Sequence, residues 1–195
     1  MIPSHLMSRL MERYAEPQRH YHTWAHVEAL LAHYRKWVRY FQRPGPVLWA
    51  LYWHDAIYDP QASDNEEQSA RLLEKEAAGL LSPHDVTFAA RLIRATATHT
   101  IPDDLPTADA EDLALFLDLD LSILGAPEEV YDRYEQAIRA EYAFVPEDAY
   151  RAGRSAILKG FLDRDRLYFT DIAHADWDAA ARANLTRAIR ALEQG

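Results

Sequence analysis

The sequence predicts an all-α fold, a single-domain helical bundle. Apolar residues recur at helical spacing along most of the chain, no segment alternates like a strand between hairpin turns, and Pro and Gly fall between the periodic stretches. This spacing predicts helices over about 4–15, 24–42, 46–58, 65–78, 83–99, 110–124, 127–143, 147–162 and 174–194. Thr23 stands where the second helix would be capped, and Pro44-Gly45-Pro46 separates the second from the third. Asn65, Glu66 and Glu67 open the fourth, with Gly79 after its end. Ser82-Pro83 reads as an N-cap followed by proline at the first helical position, and Gly125-Ala126-Pro127 ends one helix and starts the next.

At 195 residues the chain fits one domain with a sizeable core. A net charge of -10 argues against nucleic acid or an anionic membrane as partner, because phosphate backbones need clustered Lys and Arg. A small phosphorylated substrate stays compatible, since a bound divalent cation supplies local positive charge. With 0 cysteines there is no disulfide framework, thiolate metal site or cysteine nucleophile. No apolar run approaches the roughly 20 residues of a membrane span, and the N-terminus lacks a signal-peptide core, so a cytoplasmic location is expected. Oligomeric state is left open, a homodimer included.

Three stretches carry chemistry. Arg19-His20-Tyr21-His22-Thr23-Trp24-Ala25-His26 crowds histidines at the start of the second helix; a polar helix start with aromatic packing explains it equally well. His54-Asp55 sits in the otherwise apolar run 47–58. Burying a carboxylate without a partner is costly, so Asp55 implies a cation or a set of donors. On a helix the two side chains lean onto one ion, the plainer alternative being a hydrogen-bonded pair in the core. In Asp118-Leu119-Asp120-Leu121-Ser122-Ile123-Leu124-Gly125, Leu113, Phe116, Leu117, Asp120 and Leu124 follow the spacing of a buried face. Asp118 shares the wetter side with Glu111, Ala114 and Ser122, so Asp120 is the carboxylate expected at a metal and Asp118 is expected at the surface or behind the ligands. Two imidazoles and two carboxylates, His26, His54, Asp55 and Asp120, suit Mn²⁺, Fe²⁺, Co²⁺, Ni²⁺ or Zn²⁺ better than Ca²⁺.

The order His26…His54-Asp55…Asp120 resembles the signature of HD-domain phosphohydrolases. Tyr21-His22-x-x-x-His26, His54-Asp55-Ala-Ile-Tyr58-Asp59, Asn65-Glu66-Glu67-x-Ser69-Ala70, Asp118-Leu-Asp120-Leu-x-Ile-Leu-Gly125, Ile138-Arg139-x-Glu141-Tyr142 and Gly153-Arg154 extend the likeness over nearly the whole chain, to a bacterial group of predicted metal-dependent HD phosphohydrolases. The resemblance implies an all-helical HD-type domain that hydrolyses a phosphate ester or pyrophosphate bond of a nucleotide or related small metabolite. It names no substrate. Asp59 falls where the similar ppGpp hydrolases carry a catalytic carboxylate, but Tyr58 stands where they carry Glu.

Further candidates are Glu66, to orient water, and His99, to contact phosphate or a second metal; dipole-favoured helix-end roles compete for both. His22, Arg139 and Arg154 are candidates for substrate phosphate, although salt bridges account for either arginine more simply. Two other functions fit the same ligands: an HD-type di-iron oxygenase, and a metal or nucleotide sensor without turnover.

Overall fold

The computed structural model describes residues 2–194, and among these it is all-helical apart from one isolated bridge between Ala78 and Leu81. The helices are α1 (Ser4–Arg13), α2 (Trp24–Trp37), α3 (Pro44–Trp53), α4 (Asn65–Ala77), α5 (Pro83–Ala95), α6 (Thr107–Asp120), α7 (Glu128–Glu141), α8 (Glu147–Leu162) and α9 (Asp171–Gln194), with 3-10 turns at Val38–Tyr40 and Leu121–Gly125. The chain forms two compact units, one ending at Asp120 and the other beginning at Leu121.

In the first unit, α3 packs on α2, α4, α5 and α6, and α4 pairs with α5. Trp37, Trp53, Leu30, Leu51, Leu73, Leu92, Ile93 and Phe116 are fully buried there. Helix α6 is buried continuously from Asp112 to Leu119, so it has no wet face along that stretch. Asp112 receives the backbone N–H groups of Gln42 and Arg43, which ties the entry to α3 against α6. Several helix ends match their sequence signals. The Ser82 hydroxyl accepts the Asp85 N–H with Pro83 at the first position of α5, and Gly79 adopts φ 76 just beyond α4. Thr23 occupies the N-cap position of α2, but its hydroxyl meets the Tyr21 carbonyl instead of capping the helix.

In the second unit, α8 packs on α9, and α9 covers the 3-10 turn at Leu121–Gly125. Gly125 has a steric reason to be glycine, since a Cβ there would lie 2.5 Å from that of Trp177. Asn184 donates to the Leu124 and Ala126 carbonyls, and the Tyr168 hydroxyl donates to Leu121, so side chains of the last helical region absorb the carbonyls left over at that turn.

The departure from the expected boundaries that shapes the site lies at the end of α3. The helix stops at Trp53 instead of continuing to 58, so His54 and Asp55 occupy the turn beyond it.

Candidate metal centre

Side chains replace the helix in that turn. The Tyr14 hydroxyl accepts the Asp55 N–H and donates to the Tyr52 carbonyl. Arg19 Nη1 donates to the carbonyls of Asp55 and His22, and Nη2 donates to Ala56. The Ser69 hydroxyl, on α4, accepts from Ile57 N–H and donates to its carbonyl, Gln18 donates to Tyr58, and the Asn65 amide pairs with both backbone groups of Asp59. A buried stretch of chain cannot leave these groups unpaired, and with them engaged no continuing helix is needed. The Arg19 side chain is 0% exposed, lies over the rings of Tyr14 and Tyr58, and pairs with Glu16. By holding the carbonyls of His22 and Asp55 at once, it joins the segment before His26 to the turn carrying His54 and Asp55.

The result is a convergence of donors within the first unit. His26, in the first turn of α2, and His54 place their Nε2 atoms 3.1 Å apart. Asp55 Oδ2 is 3.0 Å from His54 Nε2 and 3.7 Å from His26 Nε2. Asp120, the last residue of α6, brings Oδ1 to 3.4 Å from His26 and 3.5 Å from His54, and His99 Nε2 meets its other oxygen at 3.0 Å. His26, His54 and Asp120 each offer one donor atom, all mutually within 4.8 Å, close enough to hold a metal ion. Ligands about 2.0–2.2 Å from one ion sit about 2.8–3.6 Å apart along the edges of an octahedron or tetrahedron, so the 3.1–3.5 Å spacings among His26, His54 and Asp120 fit a metal ion. His54 Nδ1 donates to the Leu51 carbonyl at 2.9 Å, which turns Nε2 toward the other donors, an arrangement common for metal-binding histidine.

Burial works against every charge here, and the outcome differs by group. It raises Asp55, but the neighbouring His54 and His22 imidazoles outweigh it and hold the carboxyl far below its usual range. Burial is likewise overcome at Asp120, by hydrogen bonds from His26 and His99. Burial lowers His26, and Asp120 does not compensate. At His54 burial is outweighed by the charge and hydrogen bond of Asp55, and the pKa rises to about 9. Two ionised carboxylates thus face a pair of imidazoles, which is the charge pattern a cation satisfies.

The remaining expected residues are distributed unevenly. His22 stacks on Tyr58, ring centroids 4.3 Å apart, beside the group. Asp59 is exposed, and its Oδ1 accepts the Gln61 N–H in an Asx turn. Glu66 is half-buried in the first turn of α4. Arg139 and Arg154 belong to the second unit. Arg139 pairs with Glu147 and donates to the Tyr142 and Val145 carbonyls, and Arg154 pairs with Glu135 and Tyr134. Both guanidinium groups are thereby accounted for as salt bridges. Of the two places expected for Asp118, the surface is corrected: it is 0% exposed, on a stretch of α6 buried from Asp112 to Leu119. Sequence reasoning missed Arg19, Tyr14 and Gln18, whose only signal was an arginine and a tyrosine close before His22.

Compared with known proteins, the chain matches no family model, and no curated protein or solved structure is significantly similar to it.

Proposed function

We propose that the protein is a metal-dependent phosphohydrolase of the HD type, acting on a phosphate ester or pyrophosphate bond of a nucleotide or related small metabolite. The observation that supports this is the convergence of His26, His54, Asp55 and Asp120, with the two imidazole Nε2 atoms 3.1 Å apart and an oxygen of each carboxylate 3.0–3.7 Å from both of them. The mixed N/O set suits Mn²⁺, Fe²⁺, Co²⁺, Ni²⁺ or Zn²⁺. A divalent ion held there supplies Lewis-acid polarisation of a phosphoryl oxygen and acidifies water.

The chain's own groups do the rest. His22, braced on Tyr58, offers an N–H donor to the charge that develops on phosphate oxygens. A general base must accept a proton from water without being a ligand. Asp59 has one oxygen committed to its Asx turn. Glu66 lies three residues before Ser69, which grips the backbone of Ile57, so the two share a side of α4. Glu66 is therefore the first residue assigned to the base, and Asp59 the second. Arg139 and Arg154 already pair with carboxylates, and this reading assigns the charge on substrate to the ion and the His22 imidazole, in a chain of net charge -10.

The test is a panel of nucleotides and other phosphorylated metabolites assayed for phosphate or pyrophosphate release with each of the five metals. Release that depends on metal and disappears in His54→Ala is expected; no release from any member, or release unaffected by His54→Ala, overturns the proposal.

A further inference from the structure

Asp120 divides its two oxygens between different partners. Oδ1 faces the imidazoles of His26 and His54 at 3.4 and 3.5 Å, whereas Oδ2 is 3.0 Å from His99 Nε2. An ionised carboxylate only accepts hydrogen bonds, so His99 Nε2 is the donor. The backbone of His99 has a feature of its own. Its φ is 49°, and among the described residues it is the one non-glycine residue with positive φ. Only a few per cent of non-glycine residues adopt this conformation, His along with Asn and Asp more often than the rest. It persists where the surroundings over-determine it, typically at functional sites. Helix α5 ends at Ala95, the His99 N–H closes a last turn on the Ala95 carbonyl at 2.9 Å, and the left-handed residue follows. The sequence reading expected a helix through this position, and a helical His99 would not have this backbone.

We propose that His99 is a positioning residue for Asp120, a role that rests on the metal reading above. By engaging Oδ2 it fixes the rotation of the carboxylate and presents Oδ1 alone to the two imidazoles. Asp120 then contributes one oxygen to an ion instead of two, which leaves coordination free for substrate and water, as hydrolytic sites require. The strained backbone at 99 is maintained by that contact.

Two substitutions separate the side chain from the backbone. His99→Gly removes the donor and also relaxes the left-handed strain. His99→Gln keeps an N–H donor at about the reach of Nε2. Each variant and the wild type are titrated with Co²⁺, followed by visible absorption, alongside thermal midpoints. One Co²⁺ per wild-type chain is expected. In His99→Gly the midpoint should hold or rise, while Co²⁺ affinity falls about 10–100-fold, the usual effect of losing a ligand's supporting partner, and the absorption band shifts. His99→Gln should restore the band and most of the affinity. Wild-type affinity and spectrum in His99→Gly overturn the positioning role. So does a midpoint that drops together with affinity and is not rescued by Gln, which makes His99 merely structural. Two Co²⁺ per wild-type chain with one lost in His99→Gly overturn it as well, making His99 a ligand. No Co²⁺ uptake by the wild type refutes the metal reading itself, and the positioning role with it.

Discussion

The Nε2 atoms of His26 and His54 face one another at 3.1 Å, with Asp55 Oδ2 3.0 Å from the second of them. In metal-free protein the charge and hydrogen bond of Asp55 outweigh burial at His54 and raise its pKa from 6.5 to about 9, while burial lowers that of His26. A group whose folded pKa is raised contributes stability that is complete below its unfolded pKa and is lost as pH climbs through the folded one. The thermal midpoint of metal-free protein should therefore decline between pH 6.5 and about 9. Saturating Co²⁺ or Mn²⁺ replaces the proton and should remove the decline. A metal-free midpoint that is flat or rising over this range contradicts the assignment.

Arg19 is the residue on which the geometry of the turn depends. Its buried guanidinium serves the carbonyls of His22, Asp55 and Ala56. Arg19→Met leaves those acceptors and Glu16 without their donor, and should destabilise the protein by at least about 3 kcal/mol. Arg19→Lys should recover only part of this, because an ammonium cannot reproduce the fork. Urea denaturation measures both. A loss below about 1 kcal/mol in Arg19→Met would show that water replaces the clamp.

Asp118 and Asp120 should separate stability from metal affinity. Asp120→Asn keeps the size of the side chain but removes the negative charge beside His26 and His54, so divalent-metal affinity should fall by orders of magnitude with little change in helical content. Asp118 is enclosed in α6, so Asp118→Asn should register in the unfolding midpoint and change metal affinity within roughly tenfold. Equal losses of affinity, measured by calorimetric titration, would rule out this division.

The two candidate bases differ in what already holds them. Asp59 Oδ1 accepts the Gln61 N–H, and Asn in its place keeps that turn. Glu66→Gln should lower turnover by about 10²–10⁴ with metal binding retained, the usual contribution of a positioned base. Asp59→Asn should cost less than tenfold. The reverse order, in steady-state rates on whichever metabolite is hydrolysed, would give the role to Asp59.

Much of the helical layout is legible in the sequence, because Ser82-Pro83, Gly79 and Gly125-Ala126-Pro127 act locally and helical periodicity reports one-sided burial. Where those conditions fail, so does the reading. α6 is buried throughout Asp112–Leu119, so a face argument cannot rank Asp118 against Asp120. The apolar run 47–58 looks helical to its end, yet Tyr14, Arg19 and Ser69 capture its last backbone groups from other helices and loops, and no local signal announces partners tens of residues away. His26, His54 and the Asp118–Asp120 pair could be picked out from their residue types and spacing, though not which of the two aspartates faces the imidazoles. The left-handed backbone of His99 could not, since helical spacing carries on through position 99 while α5 stops at Ala95.

Anomalous diffraction from crystals grown with Mn²⁺ or Co²⁺ tests the metal centre most directly. The expected peak is a single strong one, about 2.0–2.3 Å from His26 Nε2, His54 Nε2, one oxygen of Asp55 and Asp120 Oδ1. A peak elsewhere in the chain, or none among these four side chains at saturating metal, would contradict the account.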